Sequence, residues 1–196
     1  AEAFPVATYH GDSYLKEELL KGNTRCWSKL YRRSLIGQVR FREGLTIGED
    51  MLFLVELLPH IKRVSETTYP GYGYYQNPGG AMKRPFTPAY MDQIYCWETA
   101  AELLAKWGDS LTPQLHAQTM VAIMLTVGKI ALLSGRERKR AEKCLRECHG
   151  KIKTLAGERD SYVWLPAGYS IKVRMFTVLP KLYVLLYHLQ KDRKGK

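Results

Sequence analysis

Apolar side chains recur every three to four residues along most of this chain, the period of an α-helix; strand-like alternation is confined to one short part. Asp12-Ser13 caps a short helix through Tyr14, Leu15, Leu19 and Leu20, which Gly22-Asn23 stops. Trp27, Leu30, Tyr31 and Leu35 predict a helix over 27–36, ended by Gly37. Val39-Arg40-Phe41 reads as extended and 44–48 as a loop. Glu49-Asp50 then opens a third helix, with Met51, Leu54, Val55 and Leu58 on its apolar face and Pro59 closing it. Residues 62–66 and 68–76, rich in β-branched and aromatic side chains, predict two strands, broken by Asn77-Pro78-Gly79-Gly80.

Beyond Pro88 the pattern is helical. Residues 89–107 carry Ile94, Trp97, Ala101, Leu104 and Ala105 on one side. After the turn Gly108-Asp109-Ser110, Pro113 starts a helix that reaches Leu133 and ends at Ser134-Gly135. Met120, Val121, Ile123, Met124, Leu125, Val127 and Ile130 make it apolar on most sides, which predicts burial on two faces. Residues 136–156 form a strongly basic helix with Ala141, Leu145, Ile152 and Leu155 to pack. A linker over 157–168 holds Trp164 and Pro166, and a last helix over 169–190 is kinked at Pro180. The expected class is mostly α with a small β element, divided into 1–87 and 88–196.

Composition changes this picture little. At 196 residues, 45% hydrophobic and 25% charged, the chain has material for a full core and is not of a disordered type. No apolar run is long enough to cross a bilayer. The N-terminus lacks the charged-then-apolar order of a signal peptide, and Ala-Glu-Ala-Phe-Pro reads as a cut inside a longer chain. Cys26, Cys96, Cys144 and Cys148 are too scattered for a disulfide framework, and the pair at 144 and 148 has no second pair for zinc. They read as reduced cytoplasmic thiols. The net charge of +11, crowded into 136–153 and 191–196, suits either an anionic partner or a solvated helix face.

The sharpest chemical feature is Glu49-Asp50. A carboxylate at a loop-to-helix junction can take a proton from a hydroxyl nucleophile; it can equally be an ordinary acidic first turn. Its neighbours favour chemistry. Cys26-Trp27-Ser28-Lys29-Leu30-Tyr31-Arg32-Arg33 is followed by Phe41-Arg42-Glu43-Gly44, and then by Gly48-Glu49-Asp50-Met51-Leu52-Phe53. Further on stands Tyr72-Gly73-Tyr74-Tyr75-Gln76-Asn77-Pro78-Gly79-Gly80-Ala81-Met82. These segments resemble the acceptor-side half of family 2 glycosyltransferases, with their W-x-K-L-Y-R-R, R-F-x-E-G, E-D-M-x-F and Y-x-Y-Y-R-x-N-x-x-S-x-M runs, over residues 24–82.

That resemblance implies the C-terminal portion of a GT-A α/β glycosyltransferase followed by a helical bundle, of the type that builds bacterial polysaccharides. It implies inverting transfer of a sugar from a nucleotide-diphosphate donor to a saccharide or lipid-linked acceptor. Asp50 would be the general base and Glu49 its support. Trp27 would offer a ring face to the acceptor sugar or belong to the core; Lys29 would lie near donor phosphates or on the surface; Tyr75 and Gln76 complete the acceptor set. Gln76 stands where the family often carries Arg, and Gly80-Ala81 where it carries Ser. The donor half with its D-x-D motif is absent before Trp27, so this piece alone is expected to be inactive and to hold no metal. Mg²⁺ or Mn²⁺ is expected only for the complete enzyme.

Residues 169–196 mix Val173, Phe176, Leu179, Leu182, Tyr183, Leu186 and Leu189 with Lys172, Arg174, Lys181, Lys191, Arg193, Lys194 and Lys196. That mixture fits either a core helix with a basic outer face or a helix lying on the anionic inner face of a membrane. An alternative for the whole chain is a basic helical nucleic-acid-binding or protein-interaction module. No recognisable nucleic-acid motif supports it, and no nucleic acid is expected as partner.

Overall fold

A computed structural model describes residues 4–77, 79–80 and 83–192. Pro78, Ala81 and Met82 of the third signature, and the tail cations Arg193, Lys194 and Lys196, lie outside them. The described chain is mostly helical with a small two-stranded sheet.

Strand β1 (Val6–Tyr9) pairs antiparallel with β2 (Val64–Thr67), Val6 opposite Thr67 and Tyr9 opposite Val64. Of the two strands expected over 62–66 and 68–76, the first corresponds to β2 and the second does not form. Pro70 lacks an N–H to donate, and Gly71 and Gly73 have no side chain to pack, so the second segment forms no ladder.

Helix α1 (Gly11–Glu17) begins one residue before the expected cap. The Ser13 hydroxyl accepts a hydrogen bond from the His10 N–H at 3.0 Å, and a 3₁₀ turn (Leu19–Lys21) continues to Gly22. The helix expected over 27–36 shrinks to α2 (Arg33–Ile36). Ser28 has a φ of 62°, in the left-handed region, and Leu30 stands fully in solvent, so the apolar spacing there does not describe a helix face.

Helix α3 (Glu49–Leu57) starts where expected and is continued by a 3₁₀ turn (Leu58–His60) at Pro59. Its burial is wider than one stripe: Met51, Leu52, Phe53, Leu54, Val55 and Leu57 are all buried. It packs on α4 (Asp92–Leu104), which packs in turn on α5 (Thr112–Ala131). Helix α5 is the central post. Met120, Ile123, Val127 and Ile130 are shut off from solvent, each contributing about 1.5–3 kcal/mol by burial. Thr126 on α5 accepts a hydrogen bond from the buried Gln93 amide of α4 at 2.8 Å, which satisfies that polar group inside the core.

The basic segment is two helices, α6 (Gly135–Arg140) and α7 (Glu142–Leu155), divided at the buried Ala141. Ser134 and Glu137 form the capping box of α6. The expected linker contains a 3₁₀ segment (Arg159–Trp164) packed against α5. The expected kinked helix is likewise two, α8 (Tyr169–Val178) and α9 (Pro180–Asp192). Leu179 leaves the helical region, as a residue before proline does. One hydrophobic cluster runs from Leu15 and Leu52 through Ile94 and Ile123 to Phe176 and Val184, and so crosses residue 87.

The start of α3 depends on Gly48. Its φ is 94°, and a Cβ there would sit 3.1 Å from both Cys96 Cβ and Gln93 Cα on α4. Gly48→Ala is therefore expected to lower unfolding stability by about 2–3 kcal/mol, through strain and displacement together. Gly22→Ala, at φ 113° with open space around it, is expected to lose only about 1 kcal/mol. Urea unfolding of the two variants measures the difference.

Candidate functional site

Glu49 and Asp50 occupy the first turn of α3, where the exposed backbone N–H groups suit negative charge. Their surroundings differ. Burial pushes the Glu49 carboxyl above its ordinary value of 4.5; its own backbone N–H opposes this in part, and the charges of Asp50 and Asp92 add to the rise. Asp50 is bound on both oxygens by one residue. Its Oδ1 accepts from the Cys26 thiol at 2.8 Å and its Oδ2 from the Cys26 backbone N–H at 3.3 Å. A carboxylate has about four lone-pair positions, so each oxygen keeps room for a further donor.

The contact acts back on the thiol. Burial, the hydrogen bond to Asp50 and the Asp50 charge push the Cys26 thiol up to about 12. Cys26 is thus a neutral donor rather than a thiolate. The Tyr31 hydroxyl donates to the Cys26 carbonyl at 2.9 Å, fixing the loop from its other side.

Trp27 follows Cys26, the residue that holds the acid, but it is not a bare platform. Its indole stacks with Tyr74 at 4.6 Å and Tyr72 at 5.3 Å between ring centroids, with planes within 18° of parallel, and the Arg25 guanidinium lies over the ring at 5.1 Å. The first and third signatures therefore meet through Trp27, Tyr72 and Tyr74. Tyr75 and Gln76, the residues expected to line an acceptor site, are both exposed, Tyr75 at 82%.

Lys29 turns inward. Its ammonium donates to Asn23 Oδ1 at 2.6 Å and to the Arg25 carbonyl at 2.8 Å, and burial lowers its pKa. Asn23 donates onward to Glu18. Lys29 staples the loop that carries Cys26 and Trp27.

The second signature is fastened to α3 as well. Phe41 stacks on Phe53 at 4.4 Å, and Arg42 makes a 2.7 Å ion pair with Glu56. Beside this contact is an open concavity of about 810 Å³, whose walls include Arg33, Ser34, Gln38, Arg40, Phe41 and Phe53. It does not include Asp50; it begins one helical turn later, at Phe53. Nothing in residue spacing announced this groove or the Cys26 contact. Cys26 is 24 positions from Asp50, and only the quoted signature drew attention to it.

Among the described residues, no group of three or more His, Cys, Asp or Glu is placed to hold a metal ion. Several cations of the basic segment have intramolecular partners: Arg138 donates to the Ala131 and Leu133 carbonyls, Lys151 pairs with Glu98, and Arg146 pairs with Glu142 on the exposed surface of α7. No family model, curated protein or solved structure matches the chain.

The Cys26–Asp50 contact sets an order of thiol reactivity. Cys96 and Cys148 are buried, and Cys26 is held protonated, so iodoacetamide near pH 8 is expected to label Cys144 first. Asp50→Asn removes the charge that disfavours the Cys26 thiolate, and labelling of Cys26 should then rise about tenfold or more. Peptide mapping by mass spectrometry reads both rates. An unchanged Cys26 rate would mean that the contact has no chemical effect.

Proposed function

We propose that this chain is the acceptor-side portion of an inverting glycosyltransferase of GT-A fold. In this reading it moves a sugar from a nucleotide-diphosphate donor to a saccharide or lipid-linked acceptor in the cytoplasm, for polysaccharide synthesis. The observation that carries the reading is the Asp50 carboxylate: it is fixed at the mouth of α3 by two donors of Cys26, the residue before the stacked Trp27, and it retains lone pairs.

The acceptor hydroxyl approaches Asp50 and gives it a proton. The hydroxyl oxygen forms a bond to the anomeric carbon of the donor. The bond from that carbon to the diphosphate oxygen breaks, and its electron pair leaves with the nucleoside diphosphate. Attack and departure occur on opposite faces, so the configuration inverts. Such proton transfer accounts for about 10²–10⁴ in rate. The Cys26 contacts hold the carboxylate oriented, and Glu49, partly desolvated, is its neighbour in the first turn of α3. Tyr72, Tyr74 and Trp27 form the aromatic wall, whose exposed edges can pack on a sugar; Tyr75 and Gln76 remain free to order on the acceptor.

Donor binding is assigned to sequence outside this chain. The described residues do not fit Mg²⁺ or Mn²⁺, so no step here runs through a metal. A basic nucleic-acid-binding or interaction module is the weaker reading, because Arg138, Arg146 and Lys151 already have intramolecular partners.

Transfer by the product of the complete coding sequence tests the proposal. Asp50→Asn keeps the shape of the side chain and removes the base. Its kcat is expected to fall about 10²–10⁴-fold with KM little changed. Cys26→Ser, which still offers a donor, should keep most of the activity. Full transfer by Asp50→Asn would defeat the base assignment. For the present chain alone, calorimetry is expected to show no metal-dependent nucleotide-sugar binding.

A further inference from the structure

Helix α9 has two apolar faces. Tyr183, Val184 and Tyr187 turn inward, where Tyr187 lies against Gly128 of α5. Leu182, Leu185, Leu186 and Leu189 fall at i, i+3, i+4 and i+7, so they line one stripe on the opposite side. Each is 42–50% exposed, and Val178 and Leu179, at the junction with α8, are exposed further. The inward face already accounts for the packing of this helix. The outward stripe is additional.

Charge indicates what covers the stripe. From Ser161 to Lys191 there is no Asp or Glu, while Lys172, Arg174, Lys181 and Lys191 fall within the same stretch. Among the described residues the ion pairs are Arg42–Glu56, Arg146–Glu142 and Lys151–Glu98, and none uses these four cations. Between α8 and α9, at the edge where Leu186 meets Tyr183 and Tyr187, a cleft of about 350 Å³ brings Lys172 and Lys191 together with Ile171 and Met175. Lysine is depleted at protein–protein interfaces. It suits the boundary between anionic headgroups and acyl chains, where the stem lies along apolar groups and the ammonium meets phosphate. No described helix is long and apolar enough to span a bilayer, whereas α9, about 20 Å long, can lie flat in that boundary.

We infer that α8 and α9 form a docking face for an anionic phospholipid surface: the leucine stripe of α9 enters the headgroup–acyl boundary, Lys181 on its flank binds headgroup phosphate, and Lys172 and Lys191 do so from the α8–α9 cleft along its other edge. This inference is independent of the transfer reading and stands or falls on binding alone.

Flotation of the chain with vesicles of phosphatidylcholine, with and without phosphatidylglycerol, tests it. The protein is expected to float with the anionic vesicles and largely to stay behind with the neutral ones, with binding reduced by added salt. Leu185→Ser with Leu189→Ser keeps the net charge and exposes no new core, so the fold should survive by circular dichroism. Partition should nevertheless fall about tenfold or more. Lys172→Gln with Lys181→Gln and Lys191→Gln should abolish the preference for anionic lipid. Arg136→Gln with Lys139→Gln and Arg140→Gln, which removes the same number of charges from α6, should leave it nearly intact. The inference is overturned if the wild type does not float with anionic vesicles, if the leucine variant floats equally well, or if the α6 variant loses as much as the α8–α9 variant, which would mean net charge alone. It is also overturned if light scattering finds a dimer that the leucine variant dissociates while no flotation occurs, which would make the stripe a self-interface.

Discussion

Two hydrogen bonds from Cys26 to the Asp50 carboxylate join an irregular loop to the first turn of a buried helix, and the arrangement of the whole N-terminal portion follows from that junction. Hydrogen bonds to a charged group are worth about 1.5–3 kcal/mol, more than the neutral bonds that hold most loops. Once the loop is seated, Trp27 projects toward Tyr72 and Tyr74, and Lys29 is drawn back onto Asn23. Phe41 on Phe53 and Arg42 on Glu56 repeat the arrangement further along α3. The helix is thus a fixed post, and the segments over 26–29 and 41–42 are positioned on it by side chains, whereas β2 beyond it is held by a backbone ladder.

The same junction separates two carboxylates that are neighbours in sequence. Glu49 is desolvated and shifted upward, whereas Asp50 is gripped by a thiol and an amide. The two adjacent acids therefore stand in unlike environments. The thiol at position 26 is correspondingly unreactive, so this cysteine is a hydrogen-bond donor and not a nucleophile.

How much was legible in the sequence varied with the kind of force involved. Where burial decides, as in α3, α4 and α5, apolar periodicity located the helices to within a few residues, and even the two-sided burial of α5 could be read. Where specific contacts decide, periodicity misled. Trp27, Leu30, Tyr31 and Leu35 have helical spacing, but Trp27 is claimed by distant tyrosines and Leu30 by none, so the loop wins. Strand β1 escaped notice because three exposed residues and one half-buried tyrosine, far from their partner, carry no local signal. Of the candidate site, Glu49 and Asp50 were legible from helix-start chemistry. Their partner Cys26, the stacking of Tyr72 and Tyr74, and the groove beside Phe41 needed the fold.

The central claim is that the Cys26 thiol and the Asp50 carboxylate act as a unit. A double-mutant cycle with Cys26→Ala, Asp50→Ala and the pair, read by urea unfolding, tests it most directly, and the backbone N–H left in place confines the result to the thiol. A coupling of about 1–3 kcal/mol between the two substitutions is expected. Effects that add to within about 0.3 kcal/mol would contradict the claim and leave the loop and the acid merely adjacent.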